Sequence, residues 1–366
     1  MENIGLYLHI PFCDGKCAYC DFFSKCGNQN DFDTYTENLC KAIENYSKIY
    51  KRKVDTIYFG GGTPSLIGND RLCSILQTAT KFFDVDNEAE ITLECNPTSR
   101  WQLDFAKLHK AGFNRLSIGL QSANDDELTV LSRKHTAKEA KYTVDMARKS
   151  GFTNISLDLM LCIPKQTKES LQKSIDFCKE CDVEHISAYI LKIEENTPFY
   201  KMKDSLSLFT DDEQADIYEF AVNQLSAYGY KQYEISNFAK VGFESRHNLK
   251  YWHDEEYIGL GPSAHSFING KRFYFPRNIE SFYNNETVFE SSGGNEDEYI
   301  MLSLRLTEGL IFEKFEDRFN HKVPKEIFDR AKALENAGLV TINEKSLSLS
   351  VKGFLVSNSV ISHLLQ

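Results

Sequence analysis

Two rhythms of apolar and polar residues alternate over roughly the first 200 positions. Short runs rich in branched side chains fall at 4–10 (IGLYLHI), 54–59 (VDTIYF), 90–95 (EITLEC), 115–121 (RLSIGLQ), 154–163 (NISLDLMLCI) and 185–193 (HISAYILKI). Between them lie helical stretches at 33–51, 69–83, 103–111, 125–149 and 167–181. Strands alternating with helices predict a parallel sheet with right-handed crossovers. Six such units suit a partial (β/α)6 barrel, with a doubly wound sheet as the alternative.

The strands carry an unusual second face. In 154–163, Ile155, Leu157, Leu159, Leu161 and Ile163 alternate with Ser156, Asp158, Met160 and Cys162. If the apolar sets meet the helices, Tyr7, His9, Glu94, Gln121 and Asp158 point into the barrel. A closed barrel normally fills that space with bulky apolar side chains, and lone buried carboxylates are costly. A polar interior therefore implies a ligand, unless this face is simply solvated.

Beyond 197 the pattern breaks. Residues 197–296 are aromatic and turn-rich (NTPFY, AYGYKQYEISNFAK, GLGPSAHSF) and read as a long bridge. Helical patterns then return near 297–306, 312–320 and 324–337, followed by a C-cap glycine at Gly338, a hairpin-like LVTINEKSLSLSV and a final helix. That order suits a winged-helix-like module. Its nine Lys/Arg against ten Asp/Glu over 297–366 favour docking or a lid role over DNA binding. The expected organisation is a barrel at 1–200, an aromatic bridge at 201–290 and a C-terminal module at 291–366.

Composition narrows the function classes. A chain of 366 residues exceeds what one core usually organises. A net charge of −11 repels phosphate backbones, so no nucleic-acid partner is expected. The N-terminus lacks the basic and apolar regions of a signal peptide, and no run approaches the roughly 18 apolar residues of a membrane span. Ten cysteines then read as thiols or metal ligands in a cytoplasmic protein.

Three of those cysteines stand out. Cys13, Cys17 and Cys20 form Cys-x3-Cys-x2-Cys directly after the first strand, where an α/β barrel builds its active site. A four-thiolate zinc site would want a second Cys-x2-Cys knuckle, and none is visible. A dithiol redox site has no use for a third thiol. Three thiolates on a [4Fe–4S] cluster would leave one iron open for a small molecule; spacing favours this reading and leaves zinc open. Gly60-Gly61-Gly62-Thr63-Pro64 follows the second strand. It is either a tight turn or a place where exposed amides meet an anion.

The stretch from Tyr7-Leu8-His9-Ile10-Pro11-Phe12-Cys13 to Cys20-Asp21-Phe22 resembles the cluster loop of the radical S-adenosylmethionine superfamily. More narrowly it is similar to the branch containing oxygen-independent coproporphyrinogen III oxidase and its heme-chaperone relatives, over roughly 4–360. The resemblance implies a [4Fe–4S] cluster on Cys13, Cys17 and Cys20, with S-adenosylmethionine on its open iron. It assigns Gly61, Gly62, Thr63, Tyr7 and Tyr19 to the methionine end of that cofactor. Glu94, Gln121, Arg133 and Asp158 fall to its adenosine and ribose, by the logic of acids on ribose hydroxyls. No role follows for His9.

Arg246-His247-Asn248-Leu249-Lys250-Tyr251-Trp252 resembles a signature of the heme-chaperone branch. It implies heme as a third ligand, held by His247, Tyr251 and Trp252, with His253 and His265 as alternative ligands. The oxidases carry a further cysteine two places past the third thiol. Here that place is Phe22, which points to the chaperone. The implied partners are a heme-acceptor protein, an electron donor if the cofactor is cleaved, and a second copy of the chain in a homodimer. Oxidative decarboxylation of coproporphyrinogen III is the rival, and a zinc-stabilised scaffold the third reading.

Overall fold

The computed structural model describes residues 3–97 and 103–366. Six parallel strands form its centre: β1 (Ile4–Ile10), β2 (Lys53–Gly61), β3 (Asp84–Cys95), β4 (Arg115–Gln121), β5 (Ile155–Leu161) and β6 (His185–Ile190). Helices α1 (Gln29–Ile49), α2 (Asn69–Phe82), α3 (Phe105–Ala111), α4 (Asp125–Val130), α5 (Ala137–Lys149) and α6 (Lys168–Glu180) connect them. The apolar sets of alternating residues meet these helices: Leu6, Leu8, Ile57, Phe59, Leu93, Leu116, Ile118, Leu157 and Leu159 are all buried. Phe59 meets Phe113 edge to face at 5.0 Å, a pairing whose loss on truncation to Ala costs about 3–5 kcal/mol.

The helix expected over 125–149 is two helices. Ser132 has φ +59, and Thr136 opens α5 with a capping box to Glu139. A fresh N-cap there outcompetes continuation of the helix. The break turns Arg133 toward the barrel.

Residues 201–290 add strands to both ends of the central sheet. After α7 (Pro198–Met202), helix α8 (Asp211–Ala227) packs on α6. Strands β7 (Lys231–Gln232) and β8 (Asn237–Ala239) then extend the sheet beyond β6. Helix α9 (Arg246–Trp252) leads to β9 (Tyr257–Leu260), which lies parallel to β1 at the opposite edge. Strands β10 (His265–Ile268), β11 (Lys271–Tyr274) and β12 (Val288–Ser292) continue it antiparallel, with α10 (Ile279–Tyr283) between the last two. The result is one twelve-stranded sheet, ordered β12-β11-β10-β9-β1-β2-β3-β4-β5-β6-β8-β7. Strands β7–β12 span two to five residues, too few for a period-two pattern to emerge.

The C-terminal module has the expected order. It comprises α11 (Glu296–Ser303), β13 (Leu310–Ile311), α12 (Phe312–Phe319), α13 (Lys325–Asn336), β14 (Val340–Ile342) and β15 (Ser346–Leu349). Its three strands pair as β13-β15-β14, and the final helix is split into α14 (Val351–Leu355) and α15 (Ser357–Leu364). Among the described residues, no helix is long and apolar enough to cross a membrane.

Residues just past α9 tie this module to the barrel sheet. The fully buried Asp254 carboxylate bonds Arg272 of β11 at 2.8 Å and Arg318 of α12 at 2.6 Å. His253 lies 3.2 Å from Glu308 and 3.7 Å from Glu255. Burial alone would lower the histidine, but its bonds to Glu255 and Glu308 outweigh this and raise it to about 8. The bond from His253 holds each glutamate down at about 2.

A histidine raised on folding stabilises fully below its unfolded value of about 6.5, and the contribution is lost as pH climbs through 8. Raising the pH from 6.5 to 8.5 is thus expected to remove about 1 kcal/mol, after discounting for solvent screening. Urea denaturation of wild type against His253→Gln checks this: the variant loses that part of the slope, and equal slopes would contradict the assignment.

Candidate cofactor site

The three cysteines sit on a loop that the fold closes at its base. Cys13 N–H donates to Lys25 O at 3.0 Å and Lys25 N–H to Pro11 O at 2.8 Å. Phe12 anchors that base against Phe32 and Tyr35, at centroid distances of 4.8 and 5.4 Å. The loop's middle is held from the far side of the barrel. Phe199 N–H donates to Ala18 O at 2.9 Å, and Ala18 packs in a small apolar cluster with Leu131, Met160, Ile163, Leu191 and Phe199. Two cations strap its flanks: Lys134 bonds Asp14 and Arg277 bonds Asp21. A long loop fixed at so many points keeps little freedom to lose when it takes up a ligand.

The thiols are free, and all three are partly exposed. Burial raises Cys20, and its neighbours Cys17 and Cys13 raise it further. A chain of hydrogen bonds joins two of the positions. Arg133 donates to Cys17 Sγ at 3.6 Å, to Gly119 O at 2.7 Å and to Asn96 Oδ1 at 2.6 Å. Asn96 Nδ2 donates to Thr63 Oγ1 at 3.0 Å, which leaves the Thr63 hydroxyl hydrogen for Cys13 Sγ at 3.4 Å. Among the described residues, no three His, Cys, Asp or Glu side chains are grouped to hold one metal ion. Three soft thiols spread along one open loop, with a guanidinium at Cys17, fit a multi-iron cluster by donor chemistry.

In the glycine turn the backbone amides have partners within the chain. Gly62 N–H donates to Ile10 O and Thr63 N–H to Phe12 O, at 2.9 and 2.7 Å, and a backbone bond from Gly61 reaches the Glu94 carboxylate, offsetting a small part of the rise that burial causes there. These amides are spent on the protein itself. Gly61 has φ +114, and a Cβ there would lie 2.7 Å from the His9 ring; one at Gly62 would lie 2.7 Å from Phe12 O. The turn is glycine because β1 and the cysteine loop press directly upon it.

His9 is the other half of that contact. It is buried, and burial pushes it down to about 4. The neutral ring must donate from Nε2, because Phe23 O at 3.1 Å can only accept. Nδ1 therefore accepts from Tyr7 Oη, also at 3.1 Å.

Below the mouth the barrel interior is polar in two layers. Tyr7, Tyr58, Glu94, Asp158 and Tyr189 are half-buried, over a closed floor of Thr56, Thr92, Arg115, Ser117, Ser156 and His185. Tyr58 donates to Glu94 at 2.8 Å, Ser117 to Asp158 at 3.0 Å, and Tyr189 to Gln121 at 3.2 Å. Desolvation lifts Glu94 to about 7 and Asp158 to about 6. Tyr19 is un-ionised, raised first by burial. Arg115 Nε and Thr92 Oγ1 find no hydrogen-bond partner among the described residues.

Helix α9 enters this interior from the side. Glu90 of β3 accepts from Arg246 N–H and His247 N–H at 3.1 and 3.0 Å. His247 is buried and stacks on Tyr58 at 5.2 Å. Its Nδ1 bonds Thr56 Oγ1 and its Nε2 bonds Tyr251 Oη, both at 2.8 Å. Burial, with Lys250 and Arg115 nearby, pushes it down to about 3. In this conformation both ring nitrogens are engaged by side chains of the protein. Trp252 is half-buried at the helix end.

Comparison with known proteins follows the same outline. Residues 7–178 match the Radical SAM superfamily and residues 297–356 the HemN C-terminal domain. The chain is 34% identical to heme chaperone HemW of Bacillus subtilis (strain 168), over 97% of each chain. The chain belongs to the HemW family. It is also 32% identical to radical S-adenosyl methionine domain-containing protein 1, mitochondrial, of Danio rerio, over 99% of this chain and 86% of the relative. The solved structure of coproporphyrinogen III oxidase (HemN) from Escherichia coli superposes with a TM-score of 0.85 at 23% identity, over 99% and 90% of the two chains. That likeness establishes the fold.

Within this HemW-family chain, Cys13, Cys17, Cys20, Thr63 and Arg133 come together at the mouth, while Glu94, Gln121 and Asp158 line the interior. Sequence reasoning missed Tyr58, Asn96, Arg115, Ser117, His185 and Tyr189. Tyr58 lies between the apolar Ile57 and Phe59, and Arg115 and Ser117 flank Leu116. Extending the alternation to every strand finds these; Asn96, one residue past β3, carries no such signal.

For Glu94 the folded value lies above the unfolded one, so the intact chain loses stability as pH rises from about 4.5 through 7. Glu94→Gln removes that loss. The cofactor-free variant is expected to be about 2 kcal/mol more stable than wild type at pH 8 and equal at pH 4. Paired denaturation curves at the two pH values decide it. Gly61→Ala is expected to cost about 3 kcal/mol in the same assay, through its left-handed φ and the overlap with His9.

Proposed function

We propose that this chain is a heme chaperone that holds a [4Fe–4S] cluster and S-adenosylmethionine at the barrel mouth and passes heme to an acceptor protein. The observation that carries it is near-complete similarity to heme chaperone HemW, 34% over 97% of both chains. It is supported at the cysteine loop, where exposed Phe22 occupies the place of the oxidases' additional cysteine.

Cys13, Cys17 and Cys20 would bind three irons, and the fourth would be open to the amino and carboxylate groups of S-adenosylmethionine. Bound there, the cluster supplies one-electron chemistry. The chain's own residues do the positioning. Arg133 and Thr63 direct N–H and O–H groups at two of the sulfurs, which stabilises thiolate. Tyr7, Tyr19 and the Gly61–Thr63 turn line the methionine end. Glu94, Gln121 and Asp158 offer acceptors to ribose hydroxyls and adenine. The carboxylates are raised by desolvation, and a hydrogen-bonding ligand would offset that cost.

The His247–Trp252 helix joins this interior to the C-terminal module and, in this reading, couples the cofactor site to heme release. An electron donor, a homodimer and a cytoplasmic setting complete the proposal. Ten free thiols suit a reducing compartment.

The test is anaerobic reconstitution followed by parallel titration with heme and with coproporphyrinogen III. Expected are about four irons per chain, saturable heme uptake and transfer to an apo-hemoprotein. Formation of protoporphyrinogen would instead establish the oxidase. Cys17→Ala is expected to lose most iron and sulfide; zinc in place of iron in wild type would overturn the cluster.

A further inference from the structure

Three histidines stand near the aromatic segment, and their surroundings differ in kind. His247 spends both ring nitrogens inside the barrel. His253 lies between Glu255 and Glu308. His265 opens β10 with its side chain about 51% exposed. Its Nδ1 lies 3.4 Å from Glu290 Oε2, and its Nε2 has no hydrogen bond among the described residues.

That is the arrangement a metal-ligating histidine needs. A carboxylate at one nitrogen fixes the proton there and leaves the other lone pair free. The ring is also held in place. Tyr274 stacks on it at 5.0 Å with planes 26° apart, and β10 pairs with β11 in the register His265↔Tyr274. The next position across, Val288 of β12, is exposed. It places apolar surface two strand spacings, about 10 Å, from the imidazole.

The strand is joined to the cysteine loop at both ends of the motif. The turn Gly261–Ala264 presses on β1, where a Cβ at Gly261 would lie 2.6 Å from His9 O. A Cβ at Gly259 would lie 2.1 Å from His265 O, so glycine alone lets β9 and β10 cross there. Three residues past Tyr274, Arg277 bonds Asp21 in the cysteine loop. An imidazole mounted here is carried on the same rigid frame as the thiols.

We propose that His265 Nε2 is the axial ligand that captures heme, with Glu290 as its positioning residue and Tyr274 as its buttress. The proposal rests on the heme-chaperone reading and deepens it. Capture is a ligand exchange at ferric iron: the Nε2 lone pair forms the Fe–N bond, bound water leaves, and the oxidation state is unchanged.

The experiment is titration of the anaerobically purified full-length chain with ferric heme, followed by absorption and resonance Raman spectra. Wild type is expected to show a histidine-ligated spectrum. His265→Ala and His265→Gln should lose it and bind at least about tenfold more weakly, and free imidazole should restore the spectrum in the alanine variant. Glu290→Gln should weaken binding by about tenfold and lower the ferrous iron–histidine stretching frequency, a change that loss of packing alone would not produce. Wild-type spectra and affinity in both folded His265 variants would overturn the site and leave the chaperone reading standing. Failure of wild type to take up any heme would overturn both.

Discussion

A barrel whose interior is polar can hold together only if its polar groups bond one another. Interior amides, hydroxyls and carboxylates left without partners cost several kcal/mol each, more than most of a domain's net stability can absorb. This chain meets the constraint with cross-strand bonds: Tyr58 to Glu94, Ser117 to Asp158, Ser156 to His185 at 2.7 Å, and Tyr189 to Gln121. The same bonds fix the register of side chains at the mouth. Where the network is incomplete among the described residues, at Arg115 Nε and Thr92 Oγ1, the interior is poised for a ligand. The site and the fold are therefore one construction.

His247 belongs to that construction. It closes the gap between Thr56, Tyr58 and Tyr251, and Glu90 caps its helix with a carboxylate at the positive end of the peptide dipoles. The following three residues reach the C-terminal module through Asp254 and His253. A displacement of α9 would thus disturb the barrel interior and the module contacts together. One short helix is thus the shared part of the barrel interior and the C-terminal module.

The strands and most helices of the barrel were legible in the sequence because each element buries one face, and burial writes a period into the chain. Elements with nothing to alternate were illegible. β7, β8 and β13 have two or three residues, and β3 begins in DVDNE, polar positions that hide half a strand. The break between α4 and α5 carried a signal that was passed over: Thr136-x-x-Glu139 is a capping-box pattern, inside a stretch otherwise read as one helix. Among site residues, those carried by loops after strands were found through their motifs. Residues such as Asn96, whose only role is to bridge Arg133 and Thr63, leave no mark on composition or spacing.

The same reasoning explains why a histidine motif can mislead when read linearly. In His247–Trp252 the conspicuous imidazole is the one whose both nitrogens the fold consumes. An imidazole is conspicuous in sequence for its chemistry, but it is available in structure only where something else supplies the proton acceptor for one nitrogen and nothing claims the other. Glu290 does the first for His265, and the half-exposed position at the start of β10 does the second. Phe22 obeys a parallel logic on the other side of the rim. It puts an exposed ring where a fourth thiol would stand, beside a loop whose three thiols the fold already supports.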